Sequence, residues 1–176
     1  MKLNDTGETS KEMGYVPPAP GTYIWQIVEG IKVSEKENSE GQKAVSLQIP
    51  IEIIDIVDGE AKEGEKATYF IDGINTAEMG ERRLNELLIW TGVIGDFAKH
   101  FDGDVKDLIN DVQFVNKLYL KLPDKRFQAT HNFREWDGKK LFNITNMGVV
   151  AKGKGRATKA ETTGVAADVA KADSDW

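Results

Sequence analysis

The sequence predicts a mainly β, antiparallel domain with a helical insert between its third and fourth strands and a disordered C-terminal tail. Three observations carry this. Runs rich in β-branched and aromatic residues occupy both ends of residues 17–151. Between them the apolar spacing changes to the three-and-four period of helices. After Ala151 the apolar pattern fades into small, polar and glycine-containing sequence. The chain therefore divides into a flexible arm (1–16), one folded domain (17–151) and a flexible tail (152–176).

The elements follow in order. "YVPPAPG" is a stiff extended lead-in, because its prolines fix φ and disfavour helix before them. "GTYIWQIVEGIKVSE" reads as one strand, "SEKENSEGQ" as a polar loop and "KAVSLQIPIEIIDIV" as a second, long strand. Val45, Leu47, Ile49, Ile51 and Ile53 alternate onto one face of it. Pro50 predicts a sheet edge or a bulge there. "DGEAKEGE" is a turn and "KATYFIDG" the third strand. In "NTAEMGERRLNELLIWTGV", Leu84, Leu87, Leu88 and Thr91 form an apolar helical stripe. Met79, Arg83, Glu86 and Trp90 form a mixed one, and Gly92 is placed to end the helix. "GDFAKHFDGDVKDLINDVQF" predicts one or two short helices. "QFVNKLYLKLP" then reads as a strand, with Leu118, Leu120 and Leu122 facing one way and Lys117, Tyr119 and Lys121 the other. "RFQATHNFREW", the tight turn "DGKK" and "LFNITNMGVV" make a closing hairpin. Three strands, a helical insert and about three more strands fit a five-stranded Greek-key β-barrel of the OB type. An α+β sandwich is the competing arrangement.

Composition excludes several functions. The 176 residues contain no cysteine and two histidines, so disulfides and thiolate metal sites are absent and a zinc site is disfavoured. No apolar run approaches a membrane span, and "MKLNDTGETSKEMGY" lacks a secretory apolar region, which predicts a cytoplasmic protein. "GEAKEGEK" lacks the Gly-Lys-Ser/Thr ending of a phosphate loop, and "DGDVKD" lacks calcium-loop spacing. The acids Asp55, Asp58 and Glu60, and Asp102, Asp104 and Asp107, read as solvated loop and helix-start residues rather than Mg²⁺ ligands. No nucleophile motif stands out. The expectation is a protein without catalysis or cofactor.

Charge is informative in its distribution. The net charge is −6, yet residues 115–160 hold eleven basic and three acidic residues, a net +8. This basic segment sits between an acidic body and an acidic tail, which predicts an anionic partner. Cations that track phosphates and flat side chains that stack on unpaired bases are the requirements for binding single-stranded nucleic acid. Lys117, Tyr119 and Lys121 offer cation, ring and cation. Arg126, Arg134, Trp136, Lys139 and Lys140 continue the theme along the hairpin. The competing reading is a merely wet strand face. Phe127 and Phe133 read as core. Tyr23 and Trp25 share one face of the first strand, where core is favoured and a groove wall is the alternative. The final "DSDW" places a large ring in a tail that cannot bury it. It would serve either as a competitor for the basic groove or as a tethered ligand for a partner's pocket.

These features resemble those of prokaryotic and phage single-stranded-DNA-binding proteins, which join an OB-fold to a flexible linker and an acidic, aromatic-ended C-terminus. Here "DSDW" stands in the place of that tip, with Trp where the family has Phe. The body is similar in layout to small phage DNA-binding proteins. Ala19-Pro20-Gly21-Thr22-Tyr23 matches their Pro-Gly-containing strand start, and Asn143-Ile144 their late "N-I" strand. The resemblance implies binding of single-stranded DNA largely without sequence preference. It also implies recruitment of replication and recombination proteins through Asp173, Asp175 and Trp176. Rival readings are a protein-protein adaptor or phage assembly protein, and a metal-dependent nuclease. Oligomeric state is left open by the sequence.

Overall fold

The structure, a computed structural model, describes residues 17–148 and 150. The arm over 1–16 and the tail over 152–176, with Asp173, Asp175 and Trp176, lie outside the described residues. Among the described residues six antiparallel strands and four helices follow one another as β1 (Gly21–Ile27), β2 (Lys32–Glu37), β3 (Lys43–Gly59), β4 (Lys66–Ile71), α1 (Glu78–Trp90), α2 (Ile94–His100), α3 (Val105–Leu108), α4 (Val112–Lys121), β5 (Arg126–Trp136) and β6 (Lys139–Gly148). None of the described helices is long and apolar enough to cross a membrane.

The long strand β3 organises the sheet. Leu47 and Gln48 pair with Val33 and Lys32 of β2 on one side and with Ile71 and Phe70 of β4 on the other. Ile51 and Glu52 likewise pair with Ile27 and Gln26 of β1 and with Ala67 and Lys66 of β4. β1 and β2 therefore run in line along the same edge of β3. The single first strand read from the sequence is broken at residues 28–31, where Gly30 takes φ 112°, a conformation open mainly to glycine. β1 also pairs with β5, and β5 with β6, so β4 and β6 are left at the two ends of the path β4–β3–β1–β5–β6.

Pro50 corrects one expectation, because it lies inside β3 opposite Thr68 rather than at an edge. It falls where β3 exchanges β2 for β1. Its carbonyl accepts from Val28 N at 3.0 Å, and its missing N–H falls in the gap between the two ladders. The helix α4 is a larger correction, since "QFVNKLYLKLP" was expected to be a strand. Leu118 and Leu122 satisfy period two and period four alike. The decision rests on Phe114, which extends them to a buried i, i+4, i+8 stripe, and on Asp111, whose carboxylate accepts from Gln113 N at 2.8 Å and caps the helix. Leu120, which a strand would have turned inward with Leu118 and Leu122, is 79% exposed.

The core lies between the sheet and the helices. Ile27, Leu47, Ile49, Ile51, Ile53, Ile71, Leu84, Leu87 and Phe127 are fully buried in it. α1 starts hard against the loop after β4. A Cβ on Gly80 would collide with the Asp72 carbonyl oxygen and lie 2.7 Å from the Gly73 carbonyl carbon, so only glycine lets the helix approach this closely. The hairpin turn between β5 and β6 uses Asp137 and Gly138 at φ 52° and 75°, as its Asp-Gly sequence predicts.

Candidate nucleic-acid interface

Tyr23 and Trp25 are sealed in the core at 0% exposure. The Tyr23 hydroxyl donates to Ala19 O at 2.7 Å and accepts from Ala61 N at 3.1 Å. Trp25 meets Tyr23 and Phe142 edge-on with ring centroids 5.7 Å apart, and its Nε1 donates to Ala129 O at 3.3 Å. Neither ring presents a face on which a base could stack, so both leave the set of candidate contacts. Their hydrogen bonds and packing account for them as structural residues.

Lys117, Tyr119 and Lys121 do not form the cation-ring-cation row expected of a strand. On α4 a spacing of four puts Lys117 and Lys121 on one face and turns Tyr119 away. Both lysines converge on Asp96 of α2, at 3.4 and 3.2 Å. The hydrogen bond from Lys121, with the charge of Lys117, holds the Asp96 carboxyl below the usual carboxylate range. Lys117 Nζ also lies 2.8 Å from His100 Nδ1 and sits over the Phe97 ring. These cations already have partners that fasten α4 to α2. Arg126 is equally remote from the hairpin turn. It opens β5 and donates from Nε to Gln26 Oε1 at 3.3 Å, about 27 Å along the strand from Arg134 at roughly 3.4 Å per residue.

Two of the remaining hairpin residues do come together. Arg134 and Lys140 line a cleft of about 450 Å³ where the two ends of the sheet path, β4 and β6, face each other. Thr68 and Phe70 of β4 form one wall, and Leu141, Phe142 and Asn143 of β6 the other. Arg83 of α1 and Asp72 reach in from the insert side, and Pro17 closes one flank. Burial alternates along β4, with Ala67, Tyr69 and Ile71 inward, so period two turns Phe70 outward at 50% exposure. Arg83, Arg134 and Lys140 form no ion pair with any described residue, and Lys140 lies 5.7 Å from the Phe133 ring centroid. Three cations with no ion pair among the described residues therefore share the cleft with one carboxylate, beside a half-exposed ring. Lys139 is exposed at the hairpin turn, and Trp136 ends β5 opposite it in the ladder.

A second, smaller cleft of about 180 Å³ adjoins the first and shares Arg83 with it. Its walls are Met79, Arg82, Arg83 and Glu86 of α1, Tyr69 of β4 and residues 144–147 of β6. The mixed stripe noted on this helix thus lies over the seam between β4 and β6. Among the described residues no group of three or more His, Cys, Asp or Glu side chains is arranged to hold a metal ion.

Phe70, Phe142 and Arg83 were not among the residues singled out from the sequence. For Phe70 a signal existed: an aromatic on the wet phase of an alternating strand. Arg83 was marked only by its place in the mixed stripe of the helix, and Phe142 carried no signal, because only the fold brings β6 and α1 beside β4. No family model matches the chain, and no curated protein matches its sequence.

Proposed function

We propose that this protein binds single-stranded DNA, largely without sequence preference, in the cleft between β4 and β6. The observation that carries the reading is the convergence of Phe70 with Arg83, Arg134 and Lys140, three cations that form no ion pair among the described residues. Cations can follow the phosphates while Phe70, and the exposed part of Phe142, offer flat apolar surface to unpaired bases. The strand order suits an OB-like Greek-key barrel. β1 and β2 count as one interrupted strand, the insert lies between the third and fourth strands of that scheme, and the facing edges of β4 and β6 mark where the barrel would close. The protein is read as non-enzymatic and phage-encoded. It would coat unwound DNA in the host cytoplasm and recruit replication or recombination proteins through Asp173, Asp175 and Trp176.

Titration of the full chain with fluorescent oligo-dT is the test. Binding should weaken with salt at a log-log slope of about −0.7 per phosphate contacted. An adaptor or assembly protein would show no salt-dependent binding at all. A preference for duplex would equally contradict the reading.

A further inference from the structure

The smaller cleft has features that backbone and stacking contacts do not require. Tyr69 is 3% exposed, lines the cleft, and makes no hydrogen bond with any described residue. Burial holds this phenol above its ordinary pKa, with Arg83 opposing and Glu86 reinforcing the shift, so it remains a neutral donor and acceptor. Arg83 and Glu86 make no hydrogen bond or ion pair with described residues either, although both line the same cleft. One guanidinium, one carboxylate and one phenol thus stand around a single small space without a hydrogen bond to any described residue.

The size of that space limits the ligand. About 180 Å³ is below the roughly 300–1,000 Å³ of pockets for drug-sized molecules, and suits a single flat ring system. Ile144 and the Met79 and Met147 side chains supply apolar surface for its faces. The polar groups then discriminate among bases by their edges. A carboxylate accepts two hydrogen bonds side by side. Guanine offers two adjacent donors, N1–H and the 2-amino group, next to the O6 acceptor. Cytosine and adenine each place a single amino donor beside a ring acceptor, and thymine flanks its one donor with two acceptors.

Resting on the reading of the larger cleft as a DNA site, we infer that the smaller cleft accepts one unstacked guanine from the bound strand. Glu86 takes the N1–H and 2-amino protons, and Arg83 or Tyr69 donates to O6. Arg83, common to both clefts, carries the strand from the phosphate track to the base site. The protein is then a general binder with one position that reads a base.

The test compares full-length protein binding to oligo-dT and to the same oligomer with one central dG, dA or dC. The dG oligomer should bind about tenfold tighter than the other three, the scale of one well-placed bidentate contact. Glu86→Gln should abolish that margin while leaving oligo-dT affinity within twofold. Tyr69→Phe should reduce the margin without affecting dT. Equal affinity for all four oligomers, with oligo-dT still bound, would overturn the guanine site and leave the larger cleft standing. A dC or dA preference would also overturn it. Failure to bind oligo-dT at all would remove both.

Discussion

Replacing Arg134 and Lys140 together by glutamate should lower the affinity for single-stranded DNA about a hundredfold or more at low salt. The two cations line the cleft from adjacent positions of the β5–β6 hairpin, and neither forms an ion pair with a described residue. Their reversal removes two phosphate contacts and adds two repulsions. The salt dependence should become shallower by about 1.4 log units per log unit of salt, the share of two single-strand phosphates. The matched control is Lys117→Glu with Lys121→Glu. Those lysines neutralise Asp96 on the helical insert, so their reversal should loosen α4 against α2 and leave DNA affinity nearly unchanged. Equal losses in the two double variants would mean a diffuse field rather than a cleft. Thermal unfolding of each variant separates loss of fold from loss of contact. The hairpin variant changes only exposed or rim side chains and should stay within about 0.5 kcal/mol of the parent per site.

Trp25→Ala and Phe70→Ala should separate stability from binding in opposite directions. Trp25 is fully buried between Tyr23 and Phe142 and donates a hydrogen bond to Ala129 O, so its truncation should cost about 3–5 kcal/mol in denaturant unfolding. A domain of this size holds only about 5–15 kcal/mol, so the midpoint should move far. Phe70 is half-exposed and leaves little cavity when removed, so unfolding should shift by less than about 1 kcal/mol. Its DNA affinity should nevertheless fall by about 5- to 150-fold, the equivalent of roughly 1–3 kcal/mol for a lost stacking ring. A destabilised Phe70→Ala with normal binding would reassign Phe70 to the fold.

Much of the fold was legible because single residues forced the answer. Asp137-Gly138 needs positive φ at both positions, which makes the β5–β6 hairpin readable from two letters. The strict alternation from Val45 to Ile53 defines β3, and Gly92 at φ 82° ends the turn after α1. The segment of α4 is ambiguous in sequence because a short apolar run with leucines two apart fits both periods, while the Asp111 cap beside it favours a helix. Pro50 was misplaced because a ladder junction inside a sheet is a tertiary event that no local pattern announces.

The candidate site divides on the same line. Arg134 and Lys140 stood out as members of a basic segment. That segment did not predict which of its cations would be spent, and Lys117, Lys121 and Arg126 turned out to have partners. Lys152, Lys154, Arg156 and Lys159, which contribute half of its net +8, lie outside the described residues. Tyr23 and Trp25 are core because each is enclosed by its partners, Tyr23 by hydrogen bonds to Ala19 O and Ala61 N and Trp25 by Phe142 and the Ala129 carbonyl. Phe70 and Arg83 belong to the acidic half of the chain by sequence, and join the basic hairpin only because β4 and β6 end the sheet path face to face.

The central claim is the location of the DNA, and photocrosslinking tests it most directly. Oligo-dT carrying 5-bromodeoxyuridine, irradiated with the full chain and followed by peptide mapping, should attach to the peptides containing Phe70 of β4 and Phe142 of β6. Adducts concentrated at Tyr119 on α4, with none on β4 or β6, would contradict the account.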